Sequence, residues 1–556
     1  MKLSSLRVYY PWPCRLGERA RKYLKIPMIS PFVKYLLFIG LKFLKFTIIW
    51  PITAVVSIGP TKKCPPIRNQ ILMLSGSSLA HKIRTKQLSC VEVVTAYITR
   101  IREVNQSLNA VVEDRFQEAL KEAQAVDSLI ASNTKAEDVI ATETPFLGVP
   151  ATVKESISVQ GMSNNAARSN VNEHRADEDA DTVRLMRQAG FIILCVTNTP
   201  ELCLCWETFN NKTGRTNNPY NLKRSPGGSS GGEAALLGAG ASVIGMASDI
   251  GGSARLPAMY TGVFGHKPTP GYVSNRGHVP TATDKHWNNF FTLGPMCRFA
   301  EDLPQLLSCI IEDPLKVNEL KLREPVDLKK VKIFYAEDEG PNSITSDRMC
   351  TEMRDALRRA VHHLKVKYGI EAKKVHIKGL EDSLELSAMI MLRMRGIPNV
   401  FQKSENDPDE WNSVTLEVLK RIACLSSATL PSILYAPAKC VADRVSDDYY
   451  KTMLLRKRDI MDQFQELLGS TGVFLYPTFP YPAQNHYQIF YNLMNTSYLA
   501  IYNVLEMPVT ACPLGLNHEG LPMGIQVVGW QGQDRLTIAV SQALEKEFGG
   551  WIPPPE

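Results

Sequence analysis

Ser225-Pro-Gly-Gly-Ser-Ser-Gly-Gly-Glu233 and, after a short apolar run, Ser248-Asp-Ile-Gly-Gly-Ser-Ala-Arg255 decide how this chain of 556 residues is read. They are two glycine-rich serine turns, with Ser229 and Ser253 lying 24 positions apart. Glycine at this density lets the backbone curl so that successive N–H groups point at one spot, an anion-binding nest. A serine at the end of such a nest is placed to attack a carbonyl carbon while the N–H groups receive the oxyanion. Either turn alone reads as flexible Gly-Ser text; two at this spacing argue for chemistry.

Three generic motifs compete for the same letters. Gly227-x-Ser229-x-Gly231 matches the nucleophile elbow of α/β-hydrolases, but that motif needs a histidine partner, and none of the ten histidines lies near the turns. A dinucleotide fingerprint fails because Gly238-x-Gly240 lacks its third glycine, and Gly265-His266-Lys267 lacks the spacing of a phosphate loop.

Working outward, short apolar runs predict buried strands at Val149–Val153, Phe191–Val196, Ala241–Ala247, Val331–Tyr335, Val473–Tyr476, Met507–Cys512 and Met523–Val528. Helical periodicity sits between many of them, as at Arg115–Ile130, Thr182–Ala189, Asp347–Leu364 and Asp534–Glu547. Ser89-Cys-Val-Glu92 has the pattern of a capping box opening a helix that runs to about Asn105. Strands alternating with helices predict an α/β layered fold around a large mixed or parallel sheet. Residues 380–470 read as mostly helical and as an insertion covering a pocket. The domain expectation is a leader and anchor over residues 1–63 and one catalytic body over 64–556.

The net charge of +7 is unevenly placed: residues 1–63 carry twelve Lys/Arg against Glu18 alone, which leaves the body at −4. An acidic body argues against nucleic acid as a partner. Phe32–Gly59 is apolar enough and long enough to reach across a bilayer, which takes about 20 residues. Its lysines, Lys34, Lys42 and Lys45, fall within about 80° of one another at 100° per residue, which also suits a helix lying in the membrane surface. Both readings attach the chain to a membrane, and an N-terminal membrane helix is therefore part of the expected fold. Sequons at Asn105, Asn211 and Asn495 permit a lumenal body but arise easily by chance. The twelve cysteines show no C-x-x-C and no zinc-like spacing, so no metal is expected, and Cys203 and Cys205 read as incidental thiols.

The paired turns resemble the signature of the amidase signature family of serine hydrolases. Gly148-Val-Pro-Ala-Thr-Val-Lys154-Glu resembles that family's lysine-bearing strand, and Ala511-Cys-Pro-Leu-Gly-Leu516 with Leu521-Pro-Met-Gly-Ile-Gln-Val-Val-Gly529 its closing strands. The similarity runs from about Ser75 to Trp551. The hydrophobic N-terminus and Leu544-Glu-Lys-Glu-Phe-Gly-Gly-Trp551 resemble the members that cleave fatty-acid amides. The resemblance implies Ser253 as nucleophile, Ser229 as bridging serine, Lys154 as general base, and the backbone N–H groups of Ile250, Gly251, Gly252 and Ser253 as oxyanion hole. It implies no cofactor, a lipid amide substrate, a homodimer, and residence at the endoplasmic reticulum or a lipid droplet.

The residues agree independently. A serine hydroxyl needs a base, and an ammonium cannot serve as one, so Lys154 must be desolvated; its place at the end of an apolar run fits that. Asp249 and Arg255 bracket the nucleophile turn and read as a structural pair, and Glu233 as a first-turn acid favouring the helix dipole. Two alternatives accompany this reading. One is a general small-molecule amidase or the amidase subunit of an amidotransferase. The other is a catalytically dead membrane-bound lipid binder.

Overall fold

The apolar runs do become strands of one sheet. The computed structural model describes residues 40, 47 and 62–555, apart from 170–172, 342, 344, 405–406 and 424. The anticipated membrane segment 32–59 lies outside these residues save at two isolated positions. Among the described residues no helix is long and apolar enough to cross a membrane.

The sheet has eleven strands. In chain order they are β1 (Val111–Asp114), β2 (Pro150–Lys154), β3 (Ile192–Thr197), β4 (Ile244–Asp249), β5 (Phe264–Lys267), β6 (Thr292–Cys297), β7 (Lys332–Tyr335), β8 (Lys373–Lys374), β9 (Gly472–Pro477), β10 (Val509–Leu516) and β11 (Pro522–Gly529). Their order across the sheet is β1-β3-β2-β4-β6-β5-β10-β11-β9-β7-β8. Strand β2 runs parallel to both β3 and β4, pairing Val153 with Val196 and with Met246, whereas the β6-β5-β10-β11-β9 stretch is antiparallel.

Strands β1, β5, β6 and β8 have no counterpart among the expected apolar runs. Phe264–Lys267 and Thr292–Cys297 carry Gly, His, Lys and Pro among few apolar residues, so neither reads as a hydrophobic run. Their burial comes from neighbouring strands, which tertiary context supplies and a short window does not show.

Helices pack on the sheet. Cys90–Leu108 starts where expected, with the Ser89 side chain accepting from the Glu92 N–H at 3.1 Å, and ends three residues late on left-handed Asn109. The 380–470 region is helical at Ser383–Leu392, Val414–Ile422, Leu430–Arg444 and Asp447–Leu468, with a small hairpin (Gln402–Ser404 and Asp407–Trp411) that was not anticipated. It has a small apolar cluster of its own: Phe401, Trp411, Ala428, Ile433 and Ala436.

Candidate active site

In a sheet with parallel neighbours, groups at the carboxyl ends of adjacent strands converge, and ligands bind there. Lys154 is the last residue of β2, and Ser248 and Asp249 the last two of β4. The first serine turn leads into helix Gly231–Gly238 and the second leads from β4 into helix Arg255–Tyr260. The turns touch directly, the Ser230 N–H donating to the Ser253 carbonyl at 3.2 Å.

Lys154 and Ser229 are fully buried and Ser253 is 6% exposed, so an incoming molecule meets Ser253 first. Lys154 Nζ lies 2.6 Å from Ser229 Oγ and 2.8 Å from Ser248 Oγ. Burial pushes the Lys154 ammonium down from its ordinary range, opposed by Cys203, Asp249 and Glu155. Ser253 Oγ has no hydrogen-bond partner among the described residues. Such contacts tighten when substrate is bound.

Asp249 and Arg255 form the expected pair. Both are buried, with Arg255 Nη2 3.0 Å from Asp249 Oδ1 and Nε 3.0 Å from Oδ2. Burial alone would raise the Asp249 carboxyl; the guanidinium, Asn503 and the Gly252 N–H outweigh it and hold the group below the carboxylate range. Arg255 also reaches the Leu499 carbonyl, Gln526 and Asn503, tying the nucleophile turn to the helix Ser497–Val504 and to β11.

That pairing corrects the expected oxyanion donors. The Gly252 N–H is spent on Asp249 Oδ1 at 2.8 Å. The N–H groups of Ile250, Gly251 and Ser253 make no backbone or side-chain hydrogen bond among the described residues, so these three are the available donors. Gly252 has φ +101°, and a Cβ there would lie 2.5 Å from Leu499 Cβ, which explains glycine at this point of the turn.

Glu233 stands in the first turn of helix Gly231–Gly238, as expected, but it also has partners that the sequence did not suggest. It is fully buried, accepts from the hydroxyls of Thr152 and Thr197, and is raised by burial to about 8. It joins β2 and β3 to helix Gly231–Gly238 as a carboxyl held largely neutral.

Two residues near Lys154 had no signal in the sequence. Cys203, set aside as incidental, sits in a turn where Leu202 and Cys203 have φ of 51° and 59°. Burial opposes the ionisation of its thiol, while Lys154 and the contact with His278 bring it down to about 5. His278, 3% exposed, has Nε2 3.0 Å from Ser156 Oγ and 3.1 Å from Ser248 Oγ. The expectation that no histidine lies near the turns is therefore wrong in space. It arrives from residue 278 because the chain there pairs with the segment just after β2, Ser158 N–H donating to the Gly277 carbonyl and Val279 N–H to the Ser156 carbonyl, both at 2.8 Å. A lone cysteine and a lone histidine carry no pattern, so only folding reveals them.

The sequons weaken as well. Asn495 is 1% exposed with its amide on Asp347, and the exposed Asn211 amide donates to the Ser427 carbonyl.

The model of the Amidase family matches residues 92–538, and the chain belongs to that family. It is 42% identical over 497 residues to fatty-acid amide hydrolase 2-A of Danio rerio, covering 88% of this chain and 92% of the relative. It is 40% identical over 508 residues to fatty-acid amide hydrolase 2 of Homo sapiens, covering 90% and 94%. A solved structure of fatty acid amide hydrolase matches with a TM-score of 0.68 at 22% identity, over 96% of this chain and 94% of that one, which is likeness of fold.

Proposed function

We propose that this protein is a membrane-attached serine hydrolase that cleaves fatty-acid amides to free fatty acid and amine. The observation that carries the chemistry is Lys154, wholly buried with Nζ 2.6 Å from Ser229 Oγ and its charged form disfavoured by burial. A neutral amine there accepts the Ser229 hydroxyl proton as Ser229 takes the proton of Ser253. The Ser253 oxygen bonds to the substrate carbonyl carbon, and the N–H groups of Ile250, Gly251 and Ser253 receive the oxyanion. The C–N bond then breaks as the proton returns through Ser229 to the leaving nitrogen, an amine leaving poorly without it. Water repeats the sequence on the acyl-enzyme and releases the acid. Asp249 and Arg255 hold the turn.

The choice of lipid amides rests on the likeness to fatty-acid amide hydrolase 2 over most of both chains. Membrane attachment is supported by the basic, apolar first 63 residues and by the outward face of residues 380–470, which we read as a cover. There Leu416, Leu419, Ile422 and Leu425 are 53%, 56%, 74% and 77% exposed, unusual for a surface meeting only water.

The full-length protein incubated with a long-chain primary amide should release free fatty acid, and Ser253→Ala should lower kcat by a factor on the order of 10³ or more while abolishing labelling by a fluorophosphonate probe. Retention of wild-type hydrolysis by that variant removes Ser253 from the nucleophile position. Rapid turnover of short-chain amides with none of long-chain ones would favour the general amidase.

A further inference from the structure

The hydrogen-bond chain through Lys154 does not stop at Ser229. On its other side, Lys154 Nζ meets Ser248 Oγ at 2.8 Å, and Ser248 Oγ meets His278 Nε2 at 3.1 Å. The far ring nitrogen, Nδ1, lies 2.7 Å from the Pro280 carbonyl oxygen. A carbonyl only accepts, so the neutral imidazole carries its proton on Nδ1. Nε2 is then an acceptor, facing the hydroxyls of Ser248 and Ser156.

This polarity has a consequence for the lysine. A neutral amine has two N–H groups and one lone pair. If the Ser248 hydroxyl donates to His278, its oxygen is left to accept an N–H from Lys154, and the lone pair remains free for the Ser229 hydroxyl. If nothing takes the Ser248 proton, that hydroxyl is free to turn and donate to the lysine lone pair itself. Ser248 would then compete with Ser229 for the one orbital that proton abstraction needs.

We propose that His278 is a positioning residue for Lys154: held by the Pro280 carbonyl with Nε2 unprotonated, it draws the Ser248 hydroxyl away from Lys154 and leaves the amine lone pair directed at Ser229. The proposal rests on the reading of Lys154 as general base and adds a residue outside the Ser253–Ser229–Lys154 set. The loop is built for it. Residues 277–279 are bonded to 156–158 immediately after the lysine strand, and the imidazole packs on Phe291 with ring centroids 4.5 Å apart. The titratable groups facing Lys154 from the surrounding elements are Cys203, Asp249, Glu155 and Glu233; those facing His278 are Cys203 and, through Ser248, Lys154 itself.

The test measures kcat/KM against pH for the full-length enzyme with a medium-chain acyl p-nitroanilide. His278→Phe keeps a flat ring without an acceptor. It should lower the plateau by about tenfold, the scale of one hydrogen bond acting in the transition state. It should also move the acid limb to lower pH, because a Ser248 hydroxyl donating to Lys154 favours the neutral amine. His278→Gln restores an acceptor and should recover most of the plateau. In a Ser248→Ala background, His278→Phe should add little, since the histidine acts through that hydroxyl. If His278→Phe does not fold, His278→Asn replaces it, its short amide able to donate to the Pro280 carbonyl without reaching Ser248.

A plateau within about twofold of wild type, or an equal loss in the Ser248→Ala background, overturns the proposal. So does an acid limb moved to higher pH, which would mean that an imidazolium had been suppressing the lysine charge. Lys154→Ala separates the two readings: wild-type activity in that variant defeats the general-base assignment, whereas its inactivity beside neutral His278 variants defeats only this inference.

Discussion

Around Lys154 the side chains of Thr152, Glu233, Ser248, Asp249 and Arg255 are buried and each is hydrogen-bonded, whereas helix Val414–Ile422 of the cover buries no residue and turns Leu416, Leu419 and Ile422 outward. The first region spends polar groups where water is excluded; the second spends apolar groups where water is present. Each arrangement is unfavourable for an isolated globular body, and each has a counterpart in the function proposed above. Buried polar groups preorganise a site for developing charge, and exposed leucines suit an apolar phase. The two regions meet at Glu201, whose carboxylate accepts from the Thr429 N–H and hydroxyl at 2.8 and 3.0 Å, fixing the residue before the cover helix Leu430–Arg444 two residues from Cys203.

The sharpest way to break this contrast is through ion pairs. Arg255→Leu leaves the Asp249 carboxylate buried without its cation, and removal of one partner of a buried pair costs about 3–5 kcal/mol. The denaturant midpoint of unfolding should fall accordingly and hydrolysis should be lost with the Ser253 turn. By contrast Lys451→Ala on the cover, whose pair with Asp448 is 73% and 95% exposed, should change stability by no more than about 0.5 kcal/mol. Equal losses in the two variants would mean that burial does not distinguish the regions.

Next in size is the cover face. Leu416→Ser, Leu419→Ser and Ile422→Ser together remove three outward side chains that contribute little to the folded core. Unfolding should shift hardly at all, and a water-soluble acyl anilide should be turned over at the wild-type rate. Partition onto phosphatidylcholine vesicles, followed by co-sedimentation, should drop by about tenfold or more, each leucine being worth roughly 0.5 kcal/mol on an insertion scale and more when fully immersed. Unchanged sedimentation would leave attachment to the first 63 residues alone.

The same contrast explains what the sequence discloses. The residues Lys154, Ser229 and Ser253 are legible because dense glycine beside serine, and a lysine closing an apolar run, are rare combinations with a mechanical cause. The strands β2, β3 and β9 are legible because strands buried at every residue read as continuous apolar runs. The strand β5, Phe-Gly-His-Lys, is not, since its membership depends on β6 and β10 on either side. Gly252 was legible as a turn glycine but not as a spent donor, because its partner Asp249 doubles as the anchor of Arg255. Cys203 and His278 come to Lys154 from 49 and 124 positions away in the chain. No local pattern marks either, and the scattered cysteines and histidines of the body gave no ground for choosing these two.

The smallest expected effect concerns that cysteine, and its sign is decisive. Cys203 raises the Lys154 ammonium against the dominant pull of burial, which lowers it. The ammonium is the inactive form of a base. Cys203→Ala removes a group that favours the charge, so Lys154 should lose its proton at lower pH, and the acid limb of kcat/KM should move down. The plateau should stay near its wild-type value, because the Ser229 and Ser248 contacts to Nζ remain; the left-handed backbone at this position is already borne by a residue with a Cβ. Cys203→Asp places a carboxylate at the same point and should move the limb the other way, to higher pH. A limb that rises in the alanine variant, or stands still in both, would show that the thiol and the lysine do not share a proton balance. The interior around Lys154 would then be less tightly coupled than its contrast with the cover requires.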